Sequence, residues 1–286
     1  MATKVTAPAL AGRKRRLGAA PIVMVTAYDF PSARIVDGAG VDAILVGDSL
    51  ANVVLGLDDT LSVGIDEMAY HVAAVARARP NALVVADMPW MSYHVGTADT
   101  LRNAATLIRA GADAVKLEGG RRRLDVLRAL LDAEIPVMGH LGLTPQSVRA
   151  MGGLRVQARA PREAAALELD AEALAAAGCF AIVLEGVPDV VARRVTEAIE
   201  VPTIGIGAGA ACDGQVLVLH DLLGLTESPP RFVRRYAELA QAARLAVAAY
   251  AADVRAGTFP AEAETYHAPP GLEEALAREA ADGAPR

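Results

Sequence analysis

Residues 41–50 read VDAILVGDSL, and the run changes character within a single residue. Ala43, Ile44, Leu45 and Val46 have the aliphatic, β-branched content of a strand covered on both faces, as in a parallel sheet. The run stops at Gly47 and delivers Asp48 and Ser49. Alone, that ending has a plain structural explanation, because Asp and Ser are both good helix N-caps. Recurrence along the chain decides between capping and a shared site.

The pattern recurs. The run at 22–25 leads to Thr26, Tyr28 and Asp29, that at 82–85 to Asp87, and that at 114–115 to Lys116 and Glu118. Further on, 137–138 leads to His140, 181–184 to Glu185, 203–206 to the glycine-rich GAGA, and 216–219 to His220 and Asp221. Between them lie Ala-, Leu- and Arg-rich stretches with helical spacing, at 66–79, 98–112, 162–178 and 189–199. Two of these close on RAGA and AAAG, the pattern of a left-handed glycine C-cap. Strands alternating with helices argue for an α/β fold with a parallel sheet under helical cover. About eight such units in a chain of this length predict a closed (βα)8 TIM barrel. No Rossmann glycine fingerprint follows the first strand, which disfavours an open doubly wound sheet.

In such a barrel the C-terminal strand ends meet at one rim, where active sites are built. Asp48, Asp87, Lys116, Glu118, His140 and Glu185 are therefore expected in one cleft, although scattered in sequence. Asp48, Asp87 and Glu118 lead the set. Three carboxylates at one rim repel each other, and burying them uncompensated is costly. A hard divalent cation resolves that conflict, and an all-oxygen set suits Mg²⁺ over zinc. For any one of the three, a helix cap or an arginine pair serves as well; three at successive strand ends favour metal binding.

Lys116 and Glu118 sit two apart on a strand and so face the same side. Lys116 suits a substrate carboxylate or a developing oxyanion, and equally an ion pair with Glu118. Glu185 has no evident partner in the sequence; it suits a general base, or a salt bridge across the rim. His140, flanked by glycines, ranks below the carboxylates as an accessory group. GIGAG at 205–209 reads as a phosphate loop ahead of a helix or as a tight turn. Arg121, Arg122 and Arg123 read as a solvated face.

Composition bounds the remaining classes. Across 286 residues, 53% are hydrophobic and 22% charged, which supplies a core and speaks against global disorder. A net charge of −6 with 4% aromatics disfavours nucleic-acid binding. Cys179 and Cys212 read as small buried hydrophobes in a reducing compartment. No apolar run approaches the ~18 residues of a membrane span. The expected organisation is a basic lead-in at 1–20, a single barrel domain at 21–258 and a Pro/Ala/Glu-rich tail at 259–286. The lead-in carries RKRR at 13–16, and a helical or mobile segment with a solvated basic cluster is preferred over a transit peptide. The tail is expected on the surface or partly disordered, with one short helix in GLEEALAREA.

Longer strings add a family likeness. VTAYDF (25–30), ILVGDSLANVVLG (44–56), ADMPW (86–90), NAATLIRAGADAVKLEGG (103–120), GHLGLTPQS (139–147), LEGVP (184–188), IGIGAG (204–209) and CDGQVLVLHDLLG (212–224) occur in order. Together they resemble the ketopantoate hydroxymethyltransferase family. The resemblance implies a (βα)8 barrel of the phosphoenolpyruvate/pyruvate type. It implies transfer of a hydroxymethyl group from 5,10-methylenetetrahydrofolate to 3-methyl-2-oxobutanoate (α-ketoisovalerate) through a Mg-stabilised enolate. The product is ketopantoate, for pantothenate and coenzyme A biosynthesis. It further implies metal-site carboxylates at Asp48, Asp87 and Glu118, keto-acid contacts from Asp48, Ser49, Asp87 and Lys116, and Glu185 as proton acceptor. One Mg²⁺ per subunit, a cytoplasmic homodecamer, and neither nucleic-acid nor membrane partners complete the expectation. The alternative is a lyase or mutase of the phosphoenolpyruvate/pyruvate group acting on another 2-oxo acid; the Lys-Lys-Cys-Gly-His segment of isocitrate-lyase-like members is absent. Two positions depart from the family pattern: Gly186, where cysteine is common, and Ala158, where glycine is usual.

Overall fold

Eight strands of near-continuous aliphatic sequence need apolar cover on both faces, and a closed barrel provides it. The computed structural model describes residues 3–282. Its strands are β1 (Ile22–Thr26), β2 (Ala43–Val46), β3 (Leu83–Asp87), β4 (Ala114–Glu118), β5 (Val137–Gly142), β6 (Ala181–Glu185), β7 (Thr203–Ile206) and β8 (Gly214–Leu217). All pair in parallel and in sequence order, and β8 bonds back to β1 to close the barrel. The expected TIM barrel is the observed architecture.

The period of two along each strand sorts its side chains between two cores. Ile22, Met24, Leu45, Val85, Met138 and Val183 point inward and fill the barrel. Ile44, Val46, Val84, Val115, Ile182 and Leu184 point outward against the helices. Helices Ile65–Ala76, Thr97–Ala110, Pro161–Ala177 and Asp189–Ala198 occupy the stretches read as helical. Gly111 ends the second of them in the left-handed region at φ +113°, and a Cβ there would lie 2.5 Å from the Ala76 methyl. Turn geometry and helix packing both require glycine at that position.

Three expectations shift. First, the last strand begins at Gly214 and ends at Leu217, so His220 and Asp221 lie on the short helix Leu219–Leu222. The apolar run 216–219 continues past the strand because Leu219 is buried as the first residue of that helix. Second, among the described residues no helix separates β7 from β8. GIGAG is therefore the tight-turn alternative; Gly207 (φ +61°) and Gly209 (φ +81°) adopt left-handed conformations there. Third, compact packing ends at Ala237, not at 258; Glu238 onward forms a separate unit. That unit holds helices Leu239–Ala256 and Leu272–Asp282, with no buried residue among those whose burial is described. The last four residues of the expected tail lie outside the described residues. No helix of the described residues is long and apolar enough to cross a membrane.

The lead-in is helical, one of the two expected forms, but its basic cluster is only partly solvated. Thr6 caps a helix at Ala7–Ala11 whose Ala7 and Leu10 join the inner core, so this segment plugs one end of the barrel. Lys14, expected in a solvated cluster, is 1% exposed. Its ammonium lies 2.8 Å from Asp213 Oδ2 and donates to the Thr196 and Val201 carbonyls at 2.6 and 3.1 Å. Arg13 pairs with Asp42 at 2.5 Å, while Arg15 and Arg16 remain exposed. Lys14→Met leaves the Asp213 carboxylate buried without its cation. Unfolding in urea should show a loss of about 3–5 kcal/mol. A loss below about 1 kcal/mol, the range of an exposed pair, would contradict the latch.

Candidate active site

The inward parity that fills the barrel also builds the site. Above the apolar layers, the same faces present Asp87 on β3, Lys116 and Glu118 on β4, His140 on β5 and Glu185 on β6. These side chains line one cavity of about 260 Å³ together with Asp48 and Ser49. All the sequence-predicted site residues are brought together. Gly47 makes the approach of Asp48 possible: a Cβ there would meet Ser49 Oγ at 3.1 Å and Asp87 Oδ2 at 3.3 Å. With glycine in place, the Asp48 backbone N–H donates to Asp87 Oδ2 at 3.0 Å. The opening strand therefore ends in a site, and the helix after it, Leu50–Val53, receives no side-chain cap from Ser49.

Asp48, Asp87, Lys116, Glu118 and His140 are each at most 4% exposed. Lys116 Nζ lies 2.6 Å from Asp87 Oδ1 and 3.2 Å from His140 Nδ1. The first contact is an ion pair without a well-angled hydrogen bond, since Asp87 Oδ1 has no partner by hydrogen-bond geometry. Lys116 thus pairs with Asp87, not with Glu118 as its spacing also allowed. His140 lies between two carboxylates, with Nδ1 3.3 Å from Glu118 Oε1 and Nε2 3.3 Å from Glu185 Oε2. Glu185, partnerless in sequence, has His140 as its partner. Tyr28 reaches Ser49, hydroxyl to hydroxyl, at 2.8 Å.

Charge crowding sets the protonation states. Burial, then the neighbouring Asp87 and Glu118 carboxylates, push the Asp48 carboxyl well above the usual range. Burial by itself would lower Lys116, but Asp87, Glu118 and Asp48 outweigh it and hold the ammonium above its ordinary value. Burial and Lys116 also depress His140, yet its contacts with Glu118 and Glu185 prevail and raise it to about 9. Among the described residues no three His, Cys, Asp or Glu side chains already form a metal cage. The donor set nevertheless fits a hard cation: three carboxylates share a buried cavity, and the strain among them appears in Asp48.

Sequence reasoning missed Tyr93 and Gln146, both buried beside the carboxylates. Gln146 lies in GHLGLTPQS, within a short helix after β5, where no strand-end signal marks it. Arg123, expected on a solvated face, places its guanidinium 5.3 Å from the Tyr93 ring centre, and Arg121 pairs with Asp170 at 2.7 Å. Near the two departures from the family pattern, the N–H of Gln157, the residue before Ala158, donates to the Gly186 carbonyl at 2.8 Å. Ala158 sits at φ +55°, where glycine would avoid a strain of roughly 1–2 kcal/mol.

A second, larger groove of about 1210 Å³ adjoins the first cavity and shares Leu154, Glu185, Pro230 and Phe232 with it. A closed parallel barrel with a buried, acidic and lysine-bearing cleft at its strand ends defines a (βα)8 enzyme acting on a small anion. Solved structures share the fold: a 2,3-dimethylmalate lyase of the PEP mutase/isocitrate lyase superfamily aligns at TM-score 0.59 and 21% identity, covering 98% of this chain and 99% of that one. A phosphonopyruvate hydrolase complexed with oxalate and Mg²⁺ aligns at TM-score 0.58 and 14% identity, covering 97% and 96%. Sequence narrows the class. The chain belongs to the ketopantoate hydroxymethyltransferase family, whose model matches residues 4–262. It is 55% identical to 3-methyl-2-oxobutanoate hydroxymethyltransferase 2 of Bradyrhizobium diazoefficiens, over 96% of this chain and 93% of that protein. It is 57% identical to the 3-methyl-2-oxobutanoate hydroxymethyltransferase of Pyrobaculum islandicum, over 85% and 94%.

Proposed function

We propose that the cleft transfers a hydroxymethyl group to 3-methyl-2-oxobutanoate, giving ketopantoate for pantothenate biosynthesis, with 5,10-methylenetetrahydrofolate as donor and Mg²⁺ as cofactor. The observation that carries this is the convergence of Asp48, Asp87, Lys116, Glu118 and Glu185 on one cavity in a chain of this family. The 260 Å³ chamber suits a five-carbon keto acid, and the adjoining groove gives a pterin-sized donor access to Glu185. The neighbour that holds oxalate and Mg²⁺ supports the metal by analogy of fold.

In this reading Asp48, Asp87 and Glu118 would hold the cation, their carboxylate oxygens being the donors a hard divalent ion takes. A cation held there would supply Lewis acidity toward the keto carbonyl and so make the adjacent C–H more acidic. Lys116 and Ser49 orient the keto acid, and the Lys116 ammonium faces the oxygen on which charge develops. Glu185, at the junction of the two cavities, takes the proton. The resulting carbanion equivalent would form a C–C bond to the donor's methylene carbon from the groove side; both C–N bonds of that carbon break, water supplies the hydroxyl, and tetrahydrofolate leaves with one proton from that water and the one Glu185 took.

Assembly as a cytoplasmic homodecamer belongs to the same proposal. Helix Leu239–Ala256 exposes Leu245, Val247, Tyr250 and Val254, which supports burial of that helix between copies. The function test is methylenetetrahydrofolate-dependent formation of ketopantoate from the keto acid. Turnover should stop in EDTA and return with Mg²⁺. Turnover that persists after complete chelation would remove the cation from the reaction.

A further inference from the structure

Gln146 is a buried side-chain amide whose nitrogen and oxygen are both engaged. Its Nε2 donates to Asp48 Oδ2 at 2.8 Å and to the Met88 carbonyl at 3.0 Å. Its Oε1 accepts from the Tyr93 hydroxyl at 2.6 Å, and its backbone N–H donates to Glu118 Oε2 at 3.1 Å. The direction of this chain is forced. The Tyr93 oxygen accepts from the Glu118 backbone N–H at 3.2 Å, so its own hydrogen is turned toward Gln146. A flipped amide would set Oε1 against the Met88 carbonyl, two acceptors with no proton between them.

The loop runs from the Glu118 backbone through Tyr93 and Gln146 to Asp48, and returns through the Gln146 N–H to the Glu118 carboxylate. One residue therefore fixes two of the three carboxylates with respect to each other. Arg123, stacked over Tyr93, holds the ring that sets the amide's direction. We infer that Gln146 is the positioning residue of the cation site: it fixes the separation of Asp48 and Glu118, and so sets divalent-ion affinity, without touching the ion. This rests on the metal reading above. Groups that orient ligating carboxylates typically change metal affinity by 10–100-fold when removed.

The experiment is direct binding of Mn²⁺ to the full chain, followed by paramagnetic resonance, for the unaltered protein, Gln146→Leu and Tyr93→Phe. Thermal unfolding of each variant reports its integrity. Both variants should bind Mn²⁺ more weakly by roughly 10–100-fold. The Mg²⁺ concentration needed for half-maximal turnover should rise by the same factor, and saturating Mg²⁺ should restore most of the rate. A merely structural residue would lower the unfolding temperature without that metal rescue. Wild-type Mn²⁺ affinity in Tyr93→Phe overturns the inference even if Gln146→Leu fails to fold, as does wild-type affinity in a folded Gln146→Leu. Absence of Mn²⁺ binding in the unaltered protein strikes the metal reading itself, a separate outcome.

Discussion

Glu185→Gln is expected to abolish exchange of the C–H beside the keto group of 3-methyl-2-oxobutanoate with deuterated water. The substitution keeps the size and shape of the side chain and removes its ability to take a proton. Glu185 lines both cavities, with its side chain 17% exposed and its Oε2 3.3 Å from His140 Nε2. Among the described residues, it is the carboxylate that lines both the chamber and the adjoining groove. Loss of a positioned general base costs about 10²–10⁴-fold. Proton NMR of the keto acid in deuterated buffer, with protein and Mg²⁺ but no folate, measures the exchange step apart from the transfer. Mn²⁺ affinity should stay within a few-fold of the unaltered protein, since Glu185 is not one of the three carboxylates proposed to hold the cation. Exchange that continues at the original rate would pass the base role to another group, with His140 the nearest candidate.

How much of this was legible in the sequence follows from what each residue's position depends on. Strands declare themselves by local composition, and the residue at a strand tip in a barrel faces the mouth by parity alone. Asp87, Lys116, Glu118, His140 and Glu185 obey that rule, so they were found from short windows. Asp48 lies past the end of β2, and Gly47 explains how it still reaches the site. Tyr93 lies in a turn and Gln146 on a single helical turn, too short for a period to relate position to orientation, and they meet each other across 53 residues of sequence. Lys14 failed for the same reason: a basic run looks solvated unless its partner, 199 residues away, is known. The missing helix between β7 and β8 was half visible, since GIGAG allowed a turn as well as a helix start.

Lys116→Met should separate two effects of one positive charge. In the unaltered site the ammonium lies 2.6 Å from Asp87 Oδ1, and three carboxylates hold it protonated. Removing it leaves Asp87, buried beside Asp48 and Glu118, without its ion-pair partner. Breaking such a pair costs about 3–5 kcal/mol of stability. A divalent ion can make up part of that loss by supplying the absent charge, so the variant's deficit in unfolding temperature should shrink as Mn²⁺ is added. Mn²⁺ binding should also be at least as tight as in the unaltered protein, because a repelling ammonium has gone. Turnover moves the other way. Without the Lys116 donor, the oxygen that gains charge as Glu185 takes the proton loses an aimed cation, a loss of about 10²–10³-fold in kcat. Equal or tighter metal binding together with that fall in kcat places Lys116 on the substrate. Turnover within tenfold of the original, with metal bound, would leave Lys116 as a structural counter-ion to Asp87 and nothing more.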